Sequence, residues 1–306
     1  MVNNNFDNCT SFHIDNGAFM GRLVRLDKVV NTILDRHQYP RQVSAVVAES
    51  TALGALLSST IKYNGLFTLQ TQSSGPVTMV VVDVTSEGRI RACANVNQEM
   101  LDKALELRKS DTDELLAAPH YMGNGHLAFT VDQGPETDLY QGIVDLQGKN
   151  LSECALRYFK QSEQIETYLQ LFLQAPDKDG ESWKAAGILL QKLPDNGGKI
   201  SDDTEALNEA WNEAVIFAQS LKAEEVFDEK LSAEEILTRL FHANKLEITK
   251  TKEYHFGRCS RDKLFNTLHA MADKDIEDMC ENNKITATCH FCGEVYSFDK
   301  GELLSH

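Results

Sequence analysis

Cys289 and Cys292 stand two residues apart in Cys289-His290-Phe291-Cys292-Gly293, and this spacing constrains the C-terminal end of the chain more tightly than any other feature. A two-residue gap lets both thiolates turn toward one centre, as a tetrahedral zinc site or a vicinal disulfide requires. A third thiol lies nearby in Cys259-Ser260-Arg261, where a four-thiolate site would carry a second pair. With Cys280, four of the seven cysteines fall within the last 48 residues, which points to a small metal-binding or redox-switching module. The N-terminus, Met1-Val2-Asn3-Asn4-Asn5-Phe6-Asp7, lacks the basic and apolar regions of a signal peptide, so a cytoplasmic location is expected. Thiols are kept reduced there, and clustered cysteines read as metal or redox chemistry rather than a disulfide framework.

The rest of the chain is globular in character. Its 306 residues are 42% apolar with only six prolines, ample for a core and unlike a low-complexity or disordered chain. The longest apolar run, around Met79 to Val82, is strand-sized, so no membrane span is expected. With 46 acids against 30 bases the formal charge is −16, whereas a phosphate-binding surface needs clustered Lys and Arg, so nucleic acid is not expected as the main partner.

Residues 1–10 are polar and read as a loose lead-in, followed by a strand between Phe12 and Val24. Apolar residues at spacings of three and four predict a helix from Leu26 to Leu34, stopped before Pro40. A second helix over 41–61 carries Ala45, Ala48, Ala52, Gly54 and Ala55 among its Val and Leu residues, which predicts a buried core helix. β-Branched runs at 65–72, 77–84 and 89–96, separated by turn signals, predict a meander. A helix near 97–109 follows, and then the pattern of Gly65 to Gly75-Pro76 recurs from Gly125 to Gly134-Pro135. That recurrence reads either as a duplicated strand-turn-strand unit or as two copies of a common hairpin. A helix at 151–161, a break at Ser162–Ile165 and a last strand at 183–194 close an α+β domain with mixed or antiparallel sheet. It holds no phosphate-cradling glycine loop and no nucleophile elbow, and His13, His37, His120 and His126 are scattered.

Residues 195–252 read as a helical linker after a hinge at Asp195-Asn196-Gly197-Gly198. One helix, capped by Asp202 or Asp203, carries Leu207, Trp211, Val215, Phe217, Ala218 and Leu221. Another begins with the capping box Ser232-Ala233-Glu234-Glu235 and presents Ile236, Leu237, Leu240 and Phe241. In the resting state both are expected to dock on the core. They are also expected to undock when the C-terminal module changes state.

Four stretches together carry a family resemblance: Tyr158-Phe159-Lys160-Gln161-Ser162-Glu163-Gln164-Ile165, Ala185-Ala186-Gly187-Ile188-Leu189-Leu190-Gln191, Phe256-Gly257-Arg258-Cys259-Ser260-Arg261 and Cys289-His290-Phe291-Cys292-Gly293. In this order and spacing they resemble the heat-shock protein 33 family, the redox-regulated holdase chaperones of bacteria. The resemblance spans nearly the whole chain. It implies a chaperone core at 1–194, a helical linker at 195–252 and a zinc and redox-switch module at 253–306. It also implies an ATP-independent chaperone, not an enzyme, that binds unfolding client proteins under oxidative or heat stress and forms a homodimer when active. In that family four cysteines bind zinc when reduced, and oxidation forms two disulfides and releases the metal.

Metal binding and redox activity carry over here to Cys259, Cys289 and Cys292. The family's first pair is Cys-x-Cys, and its first position is Gly257 in this chain. Cys280, His255 or water stand as alternatives for a fourth zinc ligand, with His290 set aside because its neighbours take the inward directions. Cys289 and Cys292 are able to pair, whereas Cys259 is left with Cys280 or an outside thiol. Cys9, Cys93 and Cys154 read as structural thiols, with Cys93 buried and inert. Two other readings compete. One is a thiol-disulfide oxidoreductase using Cys289 and Cys292, which requires a helix after the pair, and the other is a zinc-ribbon nucleic-acid binder, which the acidic balance opposes.

Overall fold

Two sheets pack against opposite sides of one buried helix. The structure is a computed structural model that describes residues 6–107, 118–134, 137–177, 181–193 and 204–304. In chain order its first elements are β1 (Asn8–Ile14), β2 (Phe19–Leu26), α1 (Lys28–Asp35), α2 (Arg41–Ser58), β3 (Leu66–Ser73), β4 (Val77–Thr85) and β5 (Arg89–Val96). Then come α3 (Gln98–Leu107), α4 (Pro119–Met122), β6 (Gly125–Asp132), β7 (Tyr140–Asp145), α5 (Leu151–Tyr158), β8 (Thr167–Gln174) and β9 (Lys184–Lys192). The C-terminal part holds α6 (Thr204–Gln219), α7 (Ala223–Val226), α8 (Ala233–Leu240), β10 (Glu247–Glu253) and β11 (His255–Phe256). It ends with α9 (Arg261–His269), α10 (Asp273–Asp278), β12 (Lys284–Thr288), β13 (Val295–Asp299) and α11 (Lys300–Leu303).

One sheet has the order β10-β1-β2-β9-β8 and is antiparallel throughout. The other runs β11-β5-β4-β3-β6-β7, antiparallel except where β11 lies parallel to β5. Between them α2 is buried along almost its whole length, as its small residues predict. A Cβ at Gly54 would stand 2.8 Å from Val82 Cγ1, so glycine there lets the helix approach β4 closely. The two recurrent hairpins, β3–β4 and β6–β7, lie side by side and meet along β3 and β6. The break after α5 is a π-helical turn over Phe159–Glu163 that ends at Gln164 in the left-handed region.

Two expectations are corrected. Residues 8–10 are not a loose lead-in but the start of β1, and Phe6 is already buried. The local reason is Asp7, whose carboxylate accepts the backbone N–H groups of Asp27, Lys28 and Val29 at 3.0–3.1 Å and so anchors the chain at the start of α1. Residues 247–252 of the expected helical linker are not helical: with Glu253 they form β10, paired with β1 over Asn8↔Glu253 to His13↔Glu247. Their charged alternation, Glu247-Ile248-Thr249-Lys250-Thr251-Lys252-Glu253, suits a solvated edge strand, and a partner distant in sequence decides its state. The proposed hinge at 195–198 and the caps at Asp202 and Asp203 lie outside the described residues.

The helices α6–α8 cover the outer face of the first sheet. Trp211, Ala214, Ala218, Val226, Ile236, Leu237 and Phe241 form one apolar cluster with Phe12, Phe19, Leu23, Ile188 and Leu190. The clasp over this interface is Arg25, which is fully buried on β2. Its Nε and Nη1 donate to the carbonyls of Val226 and Leu231 at 2.8 and 2.6 Å, and its Nη2 donates to that of Asp228 at 2.7 Å. The Phe6 ring lies 4.1 Å below the guanidinium. Burial pushes the Arg25 pKa down to about 10, so it stays charged at neutral pH.

Candidate metal and redox centre

Cys259 is delivered from the edge of the second sheet. After β11 the Gly257 N–H donates to Ile90 O at 2.7 Å, and Gly257 then turns the chain at φ +96°. The next residues lead to Ser260, whose hydroxyl accepts the Lys263 N–H and caps α9. Cys289 and Cys292 come from the turn between β12 and β13. That turn is closed by Cys289 N–H to Glu294 O at 2.9 Å and Gly293 N–H to Cys289 O at 2.8 Å. Gly293 sits at φ +68°, and a Cβ there would stand 2.8 Å from Arg36 O, so both conformation and proximity favour glycine.

These elements bring the sulfurs of Cys259, Cys289 and Cys292 within 4.8 Å of one another. Among the described residues this is the one such group of His, Cys, Asp and Glu donors. It is a soft, convergent donor set that can hold a metal ion on three sides. The two candidate fourth ligands are elsewhere. Cys280 packs on the module's apolar cluster, and His255 is exposed with Nε2 3.7 Å from Glu253 Oε2. His290 is exposed.

The thiols are not equivalent. Burial pushes the Cys289 thiol up, but the N–H groups of Phe291 and Cys292 and the neighbouring thiols outweigh it, leaving its pKa below the ordinary value. Burial, with Cys289 and Cys259 beside it, pushes Cys292 up to about 11. Together they describe a pair that gives up one proton readily and holds the other.

The module has little core of its own: Leu268, Ile276, Ile285, Phe298 and Leu303 form its buried apolar cluster. Arg261 reinforces it with a two-pronged pair to Glu302 at 3.0 and 2.9 Å. Much of the remaining support comes from the core domain, through residues whose spacing in sequence carried no signal. Arg36 Nη1 donates to Cys292 O at 3.3 Å, and His37 Nε2 donates to Phe291 O at 3.2 Å. Arg91 stacks on the Phe291 ring at 3.7 Å, and its Nη1 lies 3.8 Å from Cys259 Sγ. Asp83, nearly buried, holds Arg91 at 2.7 Å. His37, one of the scattered histidines of the core, is therefore a docking residue of the cysteine turn.

The Cys289–Cys292 pair leads into β13, not directly into a helix. It sits in a β-hairpin, so the helix N-terminus that an oxidoreductase uses to acidify its first thiol is not there. No helix among the described residues is long and apolar enough to cross a membrane.

Comparison with known proteins agrees with this arrangement. The family model described as "Hsp33 protein" matches residues 7–299. A protein of Caulobacter vibrioides named "33 kDa chaperonin" is 32% identical over 296 residues, which is 96% of this chain and 95% of the relative. One of the same name from Pseudomonas fluorescens is 34% identical over 95% of this chain and 90% of its own. The crystal structure of the 33 kDa chaperonin (heat shock protein 33 homolog) of Thermotoga maritima superposes with a TM-score of 0.75 at 22% identity, covering 97% of this chain and 96% of the other.

Proposed function

Because the chain belongs to the Hsp33 protein family of 33 kDa chaperonins, we propose that it is a redox-regulated, ATP-independent chaperone that holds unfolding proteins and prevents their aggregation under oxidative or heat stress. In this reading residues 1–194 are the chaperone core, 195–252 a releasable linker and 253–306 the switch. Cys259, Cys289 and Cys292 hold zinc when reduced, with water completing the site. Zinc–sulfur bonds of about 2.3 Å at tetrahedral angles set sulfurs about 3.8 Å apart, so three thiols this close need only a small closing movement. Thiolate-bound metal supplies folding energy to a module with a small core, and oxidising the thiols removes it. A cytoplasmic location and dimerisation in the active state go with this reading.

The observation that carries it is the covered apolar face of the first sheet, where Phe12, Phe19, Leu23, Ile188 and Leu190 lie beneath α6–α8. Releasing those helices would expose a contiguous apolar surface on both partners, the kind of surface that binds unfolded chains.

The test combines zinc content, free-thiol titration and light scattering of an aggregating client, each before and after peroxide. Loss of zinc and thiols together with a gain in aggregation suppression is expected. If the reduced protein already suppresses aggregation and peroxide alters neither zinc nor suppression, redox control is wrong and holding is constitutive. Reduction of insulin disulfides at a catalytic rate would instead favour the oxidoreductase.

A further inference from the structure

Cys93 occupies the middle of β5 and is 4% exposed, yet it belongs to none of the protein's apolar clusters. Strand alternation explains this. Ile90 and Ala92 point into the main core, so Arg91 and Cys93 point the other way, toward the docked module. Cys93 is therefore covered at the seam between core and module rather than by the core.

The register of β11 starts the chain toward Cys93. β11 pairs in parallel with β5 as His255↔Arg89 and Phe256↔Ile90. Three more residues in step would set Cys259 opposite Cys93, at a separation of about 4.8 Å between neighbouring strands, within the Cα distances of about 4.4–6.8 Å that disulfides span. Gly257 turns the chain out of the ladder first, and Cys259 Sγ comes to rest 3.8 Å from Arg91 Nη1, on the face that Cys93 shares. Burial, with Asp83 beside it, pushes the Cys93 thiol up to about 12. All seven cysteines are unbonded in this state.

We propose that oxidation joins Cys93 of the core to Cys259 of the module in a disulfide. The inference rests on the reading of Cys259 as a redox-active thiol. Hydrogen peroxide is the oxidant: the half-buried Cys259 sulfur attacks one peroxide oxygen, the O–O bond breaks, and the thiol proton leaves on the other oxygen as water, giving the sulfenic acid. The Cys93 thiol then attacks the sulfenic sulfur, the S–O bond breaks, and water leaves with the Cys93 proton. Two thiols and one peroxide thus give one disulfide and two waters. The bond would clip the first residue of the metal site to β5, so the Cys289–Cys292 hairpin is freed while residue 259 stays on the core.

Peptide mapping by mass spectrometry of the full-length protein after peroxide, with alkylation of free thiols, tests this. A linked Cys93–Cys259 peptide is expected, and Cys93→Ala should leave Cys259 trapped by dimedone as its sulfenic acid. If that buried substitution fails to fold, Gly257→Cys provides the competition: the linked Cys93 peptide should fall several-fold as the new cysteine takes Cys259. Finding Cys93 still alkylatable while Cys289 and Cys292 are linked, or Cys259 joined to Cys280 or to a second molecule, overturns the inference and leaves the redox reading intact. Finding all three clustered thiols untouched by peroxide overturns both.

Discussion

At Gly257 the backbone, not only the missing sulfur, departs from a cysteine. Its φ of +96° favours glycine, although no atom lies within 4 Å of where a Cβ would be. A side chain there has room but carries a conformational cost of about 1–2 kcal/mol. A different residue governs pH dependence. Glu49, on α2, accepts the N–H groups of Ala118 and Leu151, but burial outweighs these bonds and raises its carboxyl from 4.5 to about 7. Because the folded pKa is the higher one, the folded state holds a proton that the unfolded chain releases. The stability from this group is fully present below about pH 4.5, falls through the window up to about pH 7, and is lost above it. The expected loss is about 1–3 kcal/mol between pH 5 and 8. Glu49→Gln should flatten that part of the profile in denaturant titrations at the two pH values, and an unchanged slope would refute the assignment. Nothing in the spacing around Glu49 signals this, since its environment is built by residues about 70 and 100 positions away.

At the scale of elements, what was legible followed local rules. The Ser232 capping box forms as expected, with Glu235 N–H on Ser232 Oγ at 3.1 Å and Ser232 N–H on Glu235 Oε2 at 2.8 Å. The stripe Ile236, Leu237, Leu240 and Phe241 is buried, and α2 is the core helix that its small residues announce. The Cys-x-x-Cys turn likewise converges with Cys259. What was not legible depends on partners far apart in sequence: β10 takes its state from β1, and Arg25 takes its role from carbonyls more than 200 residues later. That clasp makes a prediction about the linker. Arg25→Ala removes one donor from each of three carbonyls of the α7–α8 turn, of which that of Asp228 keeps the Leu231 N–H, and should weaken docking of the linker helices by about 2–5 kcal/mol. Arg25→Lys should rescue it poorly, because one ammonium cannot reproduce a planar fork that reaches three acceptors. Faster proteolysis within residues 204–240 and greater binding of an apolar dye, with sheet content retained, are the expected readouts. A cleavage rate equal to wild type would show that Arg25 is not the clasp.

Across the whole molecule, a single strap joins the switch to the surface it would control. From β10 on the edge of one sheet the chain passes Tyr254 and becomes β11 on the edge of the other, ending three residues before the first cysteine of the site. Tyr254 pins the crossing: it is buried, its N–H donates to Asp7 O at 2.7 Å, and its hydroxyl donates to Ala55 O at 3.0 Å on α2. On the far side, Leu246 and Ile248 pack against the linker's apolar cluster. Loss of metal should therefore release the strap from its weaker end. β11 has only two paired residues, held by His255 N–H on Gly88 O at 2.9 Å and Gly257 N–H on Ile90 O at 2.7 Å. Amide hydrogen exchange after zinc chelation should rise at least about tenfold at His255 and Gly257, more modestly in β10 and α8, and not in α2, since local opening spreads from the least stable contacts. Tyr254→Phe removes the bond to Ala55 and should extend the opening further into β10. Should β10 and α8 keep their protection while the module melts, the strap is not the coupling element, and linker release must begin at the docking of the cysteine turn on Arg36, His37 and Arg91.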